Sequence, residues 1–157
     1  MSAHNTDHPR LWLLLAANGG LGYAPVAPGT FGTLAGIPLF WLLSRLSPTG
    51  FTLAWILLLL LACYCSERAG RHYGVADDGR IVIDELVGYL VTVALLPFSW
   101  SAALLGFGFF RLFDIAKLPP ASWFDREMKN GVGVVLDDVA AGIYAALALR
   151  FCLLVFS

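Results

Sequence analysis

Five acids carry the strongest chemical signal in this chain: Asp84 and Glu85 open one apolar stretch, Asp137 and Asp138 open another, and Asp114 lies near the end of a third. Ionised carboxylates gathered at a membrane boundary repel one another and resist desolvation. A hard divalent cation that prefers oxygen is the simplest reason to group them, and Mg²⁺ is the natural candidate. Helix N-termini also favour Asp and Glu through the macrodipole. That bland reading suits one such acid better than two adjacent pairs and a fifth. Neighbouring residues on a helix point in different directions, so one acid of each pair is expected on the metal and its neighbour behind it. The candidate metal ligands are Asp84, Glu85, Asp137 and Asp138, and the candidate catalytic groups are Asp84, Glu85, Asp114 and Asp138.

Arg111, Asp114 and Lys117 follow one another at i, i+3 and i+6, a spacing that aligns cation, acid and cation along one helical face. Beside a carboxylate cluster, Arg111 and Lys117 are expected to hold a phosphate, and Asp114 to orient Lys117 or a water. The segment Pro28-Gly29-Thr30-Phe31-Gly32-Thr33 leads into a helix whose free N–H groups and hydroxyls suit an anion, which adds Thr30 and Thr33 to the phosphate-binding candidates. No Lys follows its glycines, so it is not a nucleotide-binding loop of the Walker type. His4, His8 and His72 lie in polar segments and read as surface residues. Cys63, Cys65 and Cys152 lie in apolar segments and read as small core residues, not as a disulfide framework.

The elements that must position these groups are apolar. Of 157 residues 59% are hydrophobic, with a mean hydropathy of +0.75, so lipid is the expected solvent. The expected fold is all-α, a polytopic membrane bundle of about four spanning helices plus a short re-entrant or interfacial helix over Leu11 to Ala17. Gly and Pro between Asn18 and Thr30 read as a loop, after which Thr33 to Leu46 begins the first span with Thr30 or Thr33 as N-cap. Phe51 to Cys65, Ile81 to Leu96, Ser101 to Ala116 and about Leu136 to Phe156 complete the apolar helices. Hydrophilic loops are expected at Glu67 to Arg80 and Lys117 to Asn130. Residues 1–10 form a polar tail without the marks of a secretory signal, and residues 11–157 a single domain.

Alternating spans put the tail and both hydrophilic loops on one side, together with Arg10, Arg68, Arg71, Arg80, Arg111, Lys117, Arg126 and Lys129, and leave Arg45 and Arg150 near the other. Positive-inside bias makes the first side cytoplasmic, and all five acids fall at that level. A net charge of −1 with ten basic residues excludes a nucleic-acid partner of the ordinary electrostatic kind. No oligomeric state follows from the sequence.

Several blocks in order resemble the phosphatidylglycerophosphatase A family: Ala27 to Thr33, Ile81 to Glu85, Phe110 to Lys117, Trp123 to Arg126, and Gly131 to Gly142 with its adjacent aspartates. Ile83 stands where the family often has Trp, and Lys117-Leu118-Pro119-Pro120 where it often has Lys-Pro-x-Pro. The resemblance implies Mg²⁺-dependent hydrolysis of the terminal monoester of phosphatidylglycerophosphate, a phospholipid substrate, in the bacterial inner membrane with the site facing the cytoplasm. Direct water attack and an aspartyl-phosphate route are both open at this level. A proton- or ion-coupled transporter and a non-catalytic assembly subunit are the rival classes; acids at one face, not at depth, disfavour the first.

Overall fold

In the computed structural model, which describes residues 11–156, the chain folds as α-helices joined by short turns. They are α1 (Leu11–Ala16), a 3-10 helix (Asn18–Tyr23), α2 (Pro28–Leu43), α3 (Pro48–Tyr73), α4 (Ile83–Thr92), α5 (Trp100–Ala116), α6 (Ala121–Glu127) and α7 (Gly131–Phe156). No strand occurs among the described residues. The all-α expectation therefore holds, while the tail over residues 1–10 lies outside the described residues. Two helices, α3 and α7, are long and apolar enough to cross a membrane, and α2 is a shorter apolar helix.

Several boundaries differ from those read off the sequence. Helix α2 starts at Pro28, not Thr33, because proline at the first position has its φ preset for a helix and no N–H to satisfy. Ala27, in the left-handed region with φ 48°, makes the turn into it. Helix α3 begins at Pro48, capped by the Ser47 side chain, and continues through Tyr73 to a left-handed Gly74. The segment expected as the start of a hydrophilic loop is thus helical, and Glu67 and Arg71 pair across one of its turns at 2.7 Å. Helix α4 is only ten residues long, or about 15 Å at 1.5 Å per residue. Its chain leaves helical geometry at Val93, well before the expected end at Leu96. The polar segment after Lys117 also contains a helix, α6.

The N-terminal ends of α2, α4 and α7 meet the C-terminal ends of α3 and α5 at one end of the bundle. Gly29 of α2 lies against Glu85 of α4, Arg111 of α5 approaches the same Glu85, and Glu67 of α3 accepts the Gly131 N–H of α7 at 2.7 Å. Toward the other end the core is apolar, built on Phe40, Tyr89, Leu90, Val93, Phe110 and Leu149. Where α4 stops short, Arg150 of α7 donates to the carbonyls of Thr92 at 3.4 Å and Ala94 at 2.7 Å, so the freed backbone acceptors have a partner inside the bundle.

Helices α4 and α7 run side by side and touch through glycines. A Cβ on Gly88 would come within 2.6 Å of the Asp138 carbonyl and of the Phe110 ring, and one on Gly142 would collide with the Gly88 carbonyl. Thr92 Oγ1 sits in the same seam, 3.4 Å from the Gly142 carbonyl. Close backbone approach of this kind needs small residues. Gly88→Ala should therefore cost about 1–3 kcal/mol through overpacking. Gly108→Ala, where a Cβ meets nothing within 4 Å, should be neutral or stabilising by up to about 1 kcal/mol. Thermal or denaturant unfolding of the two variants in one detergent checks the contrast.

Candidate active site

The seam of α4 and α7 places the acids. Asp84 stands one turn before Gly88 and Asp138 one turn before Gly142, so the glycine contact brings the two carboxylates to the same level. Asp84, Glu85 and Asp138 each offer an oxygen, and the three lie within 4.8 Å of one another. Asp84 and Asp138 are 5% and 3% exposed. Asp84 Oδ1 and Glu85 Oε2 are buried without a hydrogen-bond partner, an arrangement that disfavours charge unless something positive completes it. Both members of the Asp84–Glu85 pair face this point, whereas one of them was expected to turn away.

Asp137 is not part of this trio. Its carboxylate accepts a hydrogen bond from Lys117 Nζ at 2.8 Å, and the same ammonium donates to Asp125 at 3.0 Å. Burial works against the Lys117 charge, but the hydrogen bonds and charges of Asp137 and Asp125 outweigh it and hold the ammonium above the usual lysine range. Lys117 does not continue the α5 face, as its spacing to Arg111 and Asp114 suggested. It caps the helix in the left-handed region with φ 43°, and this turn swings its side chain toward α6 and α7. Asp114 consequently does not orient Lys117. It binds Arg111 instead, at 2.6 Å, and stands against the Asp138 carboxylate. Arg111 is 4.0 Å from Glu85 as well, so one guanidinium faces two acids of the site.

The N-terminal turn of α2 completes the wall. Gly29 packs so tightly on the Glu85 carboxylate that any side chain there would collide with it, and Arg111 is beside the same position. Thr33 is fully buried and its hydroxyl donates to the Gly29 carbonyl at 2.9 Å, so it braces the turn. Thr30 lies on the same turn and is half-buried. Behind α4 the chain is clamped: the Val82 N–H donates to the Ala16 carbonyl at 2.8 Å and the Asn18 side chain to the Val82 carbonyl at 2.7 Å. These two bonds fix the residue that precedes α4.

Sequence reasoning assigned no role to Asp125, Asp77, Gly29 or Asn18. Asp77, in the turn after α3, contributes to the field at Asp84 and Asp137 and lies within the influence of Lys117 and Asp125. Nothing marks it in the sequence, where it is one acid in a polar stretch. Gly29 and Asp125 sit in blocks that the family resemblance singled out, which was the available signal. His72 is exposed and Cys65 is buried in the core, as their sequence context suggested.

The model of one family, phosphatidylglycerophosphatase A, matches residues 14–153, the whole bundle from α1 to near the end of α7. The chain belongs to that family. Among curated relatives, phosphatidylglycerophosphatase A of Escherichia coli strain K12 is 38% identical over 141 residues, covering 89% of this chain and 82% of the relative. Phosphatidylglycerophosphatase A of Haemophilus influenzae is 43% identical over 138 residues, covering 87% and 85%. A third relative, from Bacteroides thetaiotaomicron, carries a provisional name as a phosphatidylinositol-3-phosphatase and is 32% identical over 146 residues, 87% of this chain and 90% of its own. No solved structure matches. Family membership makes the protein a phosphoric monoester hydrolase.

The pairing of Lys117 can be measured. In a double-mutant cycle on unfolding stability, Lys117→Met and Asp137→Asn should couple by about 1.5–3 kcal/mol, the range for hydrogen bonds to charged groups. Lys117→Met and Asp114→Asn should couple by less than about 0.5 kcal/mol. Equal coupling in the two cycles would contradict the partners described here.

Proposed function

We propose that the protein hydrolyses the terminal phosphate monoester of phosphatidylglycerophosphate, giving phosphatidylglycerol and inorganic phosphate for phospholipid synthesis, in a Mg²⁺-dependent reaction at the cytoplasmic face of the bacterial inner membrane. The observation that carries this reading is the convergence of Asp84, Glu85 and Asp138 beside Arg111 in a member of this family. The two phosphatidylglycerophosphatases named above support the substrate.

The residues present fit the metal. All the donors are carboxylate oxygens, two of which are buried without partners. The three oxygens lie within 4.8 Å of one another, near enough for one small, hard cation to reach them all. Asp84, Glu85 and Asp138 would hold the ion, with Asp137 behind them on Lys117. Mg²⁺ bound there would supply Lewis-acid neutralisation of the phosphate oxygens.

The chain's own groups do the rest. Arg111 and Lys117 bring two permanent positive charges to the rim where the phosphoryl oxygens gather charge, and the Thr30 hydroxyl with the first N–H groups of α2 faces the same anion. Asp114, held by Arg111, accepts the proton of a water that attacks phosphorus. The new P–O bond forms to that water as the ester P–O bond breaks, the glycerol oxygen takes up a proton from solvent, and phosphate leaves.

The membrane setting has its own support. Leu57, Leu60, Leu147, Phe151 and Leu154 are 61–81% exposed on α3 and α7, an apolar exterior that water does not tolerate over such lengths. We read α2, α3, α5 and α7 as about four crossings and α4 as a buried half-length helix.

The deciding assay is phosphate release by the detergent-solubilised protein from phosphatidylglycerophosphate, phosphatidic acid and soluble glycerol phosphate. Release from phosphatidylglycerophosphate should be fastest and should vanish in EDTA and return with Mg²⁺. Asp138→Asn should lose at least about 100-fold in rate while keeping a cooperative melt. Activity indifferent to EDTA would sink the metal assignment, and preference for another lipid the substrate. In ¹⁸O-water a single turnover should place one solvent oxygen in the released phosphate; label in a protein carboxylate instead would establish a covalent route.

A further inference from the structure

A second polar site lies between the last turns of α3 and the start of α7 and shares no residue with the carboxylate trio. Its deeper part is a cleft of about 220 Å³ lined by Ser66, Glu67, Arg71, Lys129 and Asn130. A shallower groove of about 550 Å³ shares Glu67, Arg71 and Asn130 and continues over Tyr64, Arg68 and Val132. Ser66 lines the cleft, is fully buried and has a hydroxyl with no hydrogen-bond partner, which is an uncommon state for a buried donor.

The charges around it identify what would satisfy that hydroxyl. Glu67 is already engaged on both oxygens: Oε2 accepts the Gly131 N–H at 2.7 Å and Oε1 the Arg71 Nε at 2.7 Å. Against the single charge of Glu67, which already caps the start of α7, the site holds Arg68, Arg71 and Lys129, a surplus of positive charge that favours an anion. Lys129 is anchored to the Asp125 carbonyl, and Arg68 stands over the Tyr64 ring, 5.7 Å from its centre. The groove then runs onto apolar surface, with Tyr64 54% and Val132 44% exposed on the outward faces of α3 and α7. An anion that accepts from a buried hydroxyl and continues into an apolar surface groove is an amphiphile.

We propose that this cleft binds the phosphodiester of an anionic phospholipid, with the phosphate between Ser66 and Arg71, Arg68 further along the groove and an acyl chain along Tyr64 and Val132, as a lipid retained apart from the substrate. The inference rests on the membrane setting of α3 and α7 proposed above, but not on the reaction assigned to the acids. It gives Arg68 and Arg71 a use beyond topology. Both stand on the last turns of the long apolar helix α3, a place that suits a ligand with a charged head and an apolar tail.

The test is native mass spectrometry of the full-length protein in detergent, titrated separately with phosphatidylglycerol, phosphatidylcholine and inorganic phosphate. One phosphatidylglycerol should bind at least about tenfold more tightly than phosphatidylcholine, and millimolar phosphate should not displace it. The Arg68→Ala/Arg71→Ala double variant should weaken that lipid about tenfold or more. Ser66→Val, which removes only the buried hydroxyl, should weaken it several-fold while leaving the melting temperature unchanged or higher. Asp138→Asn should retain it with unchanged affinity, whatever it does to phosphate release. Equal retention by the Ser66→Val protein, equal binding of phosphatidylcholine, displacement by phosphate alone, or loss of the lipid in Asp138→Asn would each overturn the assignment.

Discussion

The approach of α4 to α7 through Gly88 and Gly142 is the constraint on which the rest depends. Two helices packed through ordinary side chains stand about 8–10 Å apart, and acids on facing turns would then splay apart. Here backbone meets backbone, and Asp84 and Asp138, each one turn ahead of its glycine, are brought to a common point. The same seam seats Thr92 and forces the Phe110 ring of α5 into van der Waals contact with α4. Arg111 follows Phe110 in sequence, so the packing that closes the core also delivers the cation to the acids.

That geometry concentrates negative charge, and the fold answers with fixed positive ends and two cations. Helices α2 and α4 begin beside the trio, and their N-terminal dipoles act where mobile ions would otherwise be needed. Arg111 is shared by Asp114 and Glu85, and Lys117 by Asp137 and Asp125. Arg111 thus joins an acid outside the trio to one within it, whereas Lys117 holds two acids that lie outside it. In the trio, Asp84 Oδ1 and Glu85 Oε2 are buried without a hydrogen-bond partner, and the proposed metal would bind there.

The helical class and the level of the acids were legible because both follow from local pattern: apolar stretches broken by Gly and Pro, and charges clustered at their borders. The residues drawn into the site were legible as a group. Their pairing was not. Spacing put Lys117 on the face of Arg111 and Asp114, but a left-handed residue at the end of α5 redirects it, and non-glycine residues rarely signal that conformation in advance. Spacing also gave Asp84 and Glu85 different directions, correct for their Cα–Cβ vectors yet overridden by the longer glutamate side chain, which reaches back past Gly29. The length of α3 was misread because charged residues at a helix end resemble those of a loop, and the brevity of α4 because its apolar run continues past the point where Arg150 takes over its carbonyls.

The short α4 also decides traffic. Beyond Thr92 the chain is irregular, yet its carbonyls are satisfied by Arg150 and the space around it is filled by Tyr89, Leu90, Val93 and Leu149, all fully buried. The interior beyond α4 is therefore filled by packed side chains. In the proposed reaction, water and phosphate would then pass at the acid end alone, and nothing would move from one compartment to the other. The proposed lipid substrate would keep to its own leaflet, with only its head changed.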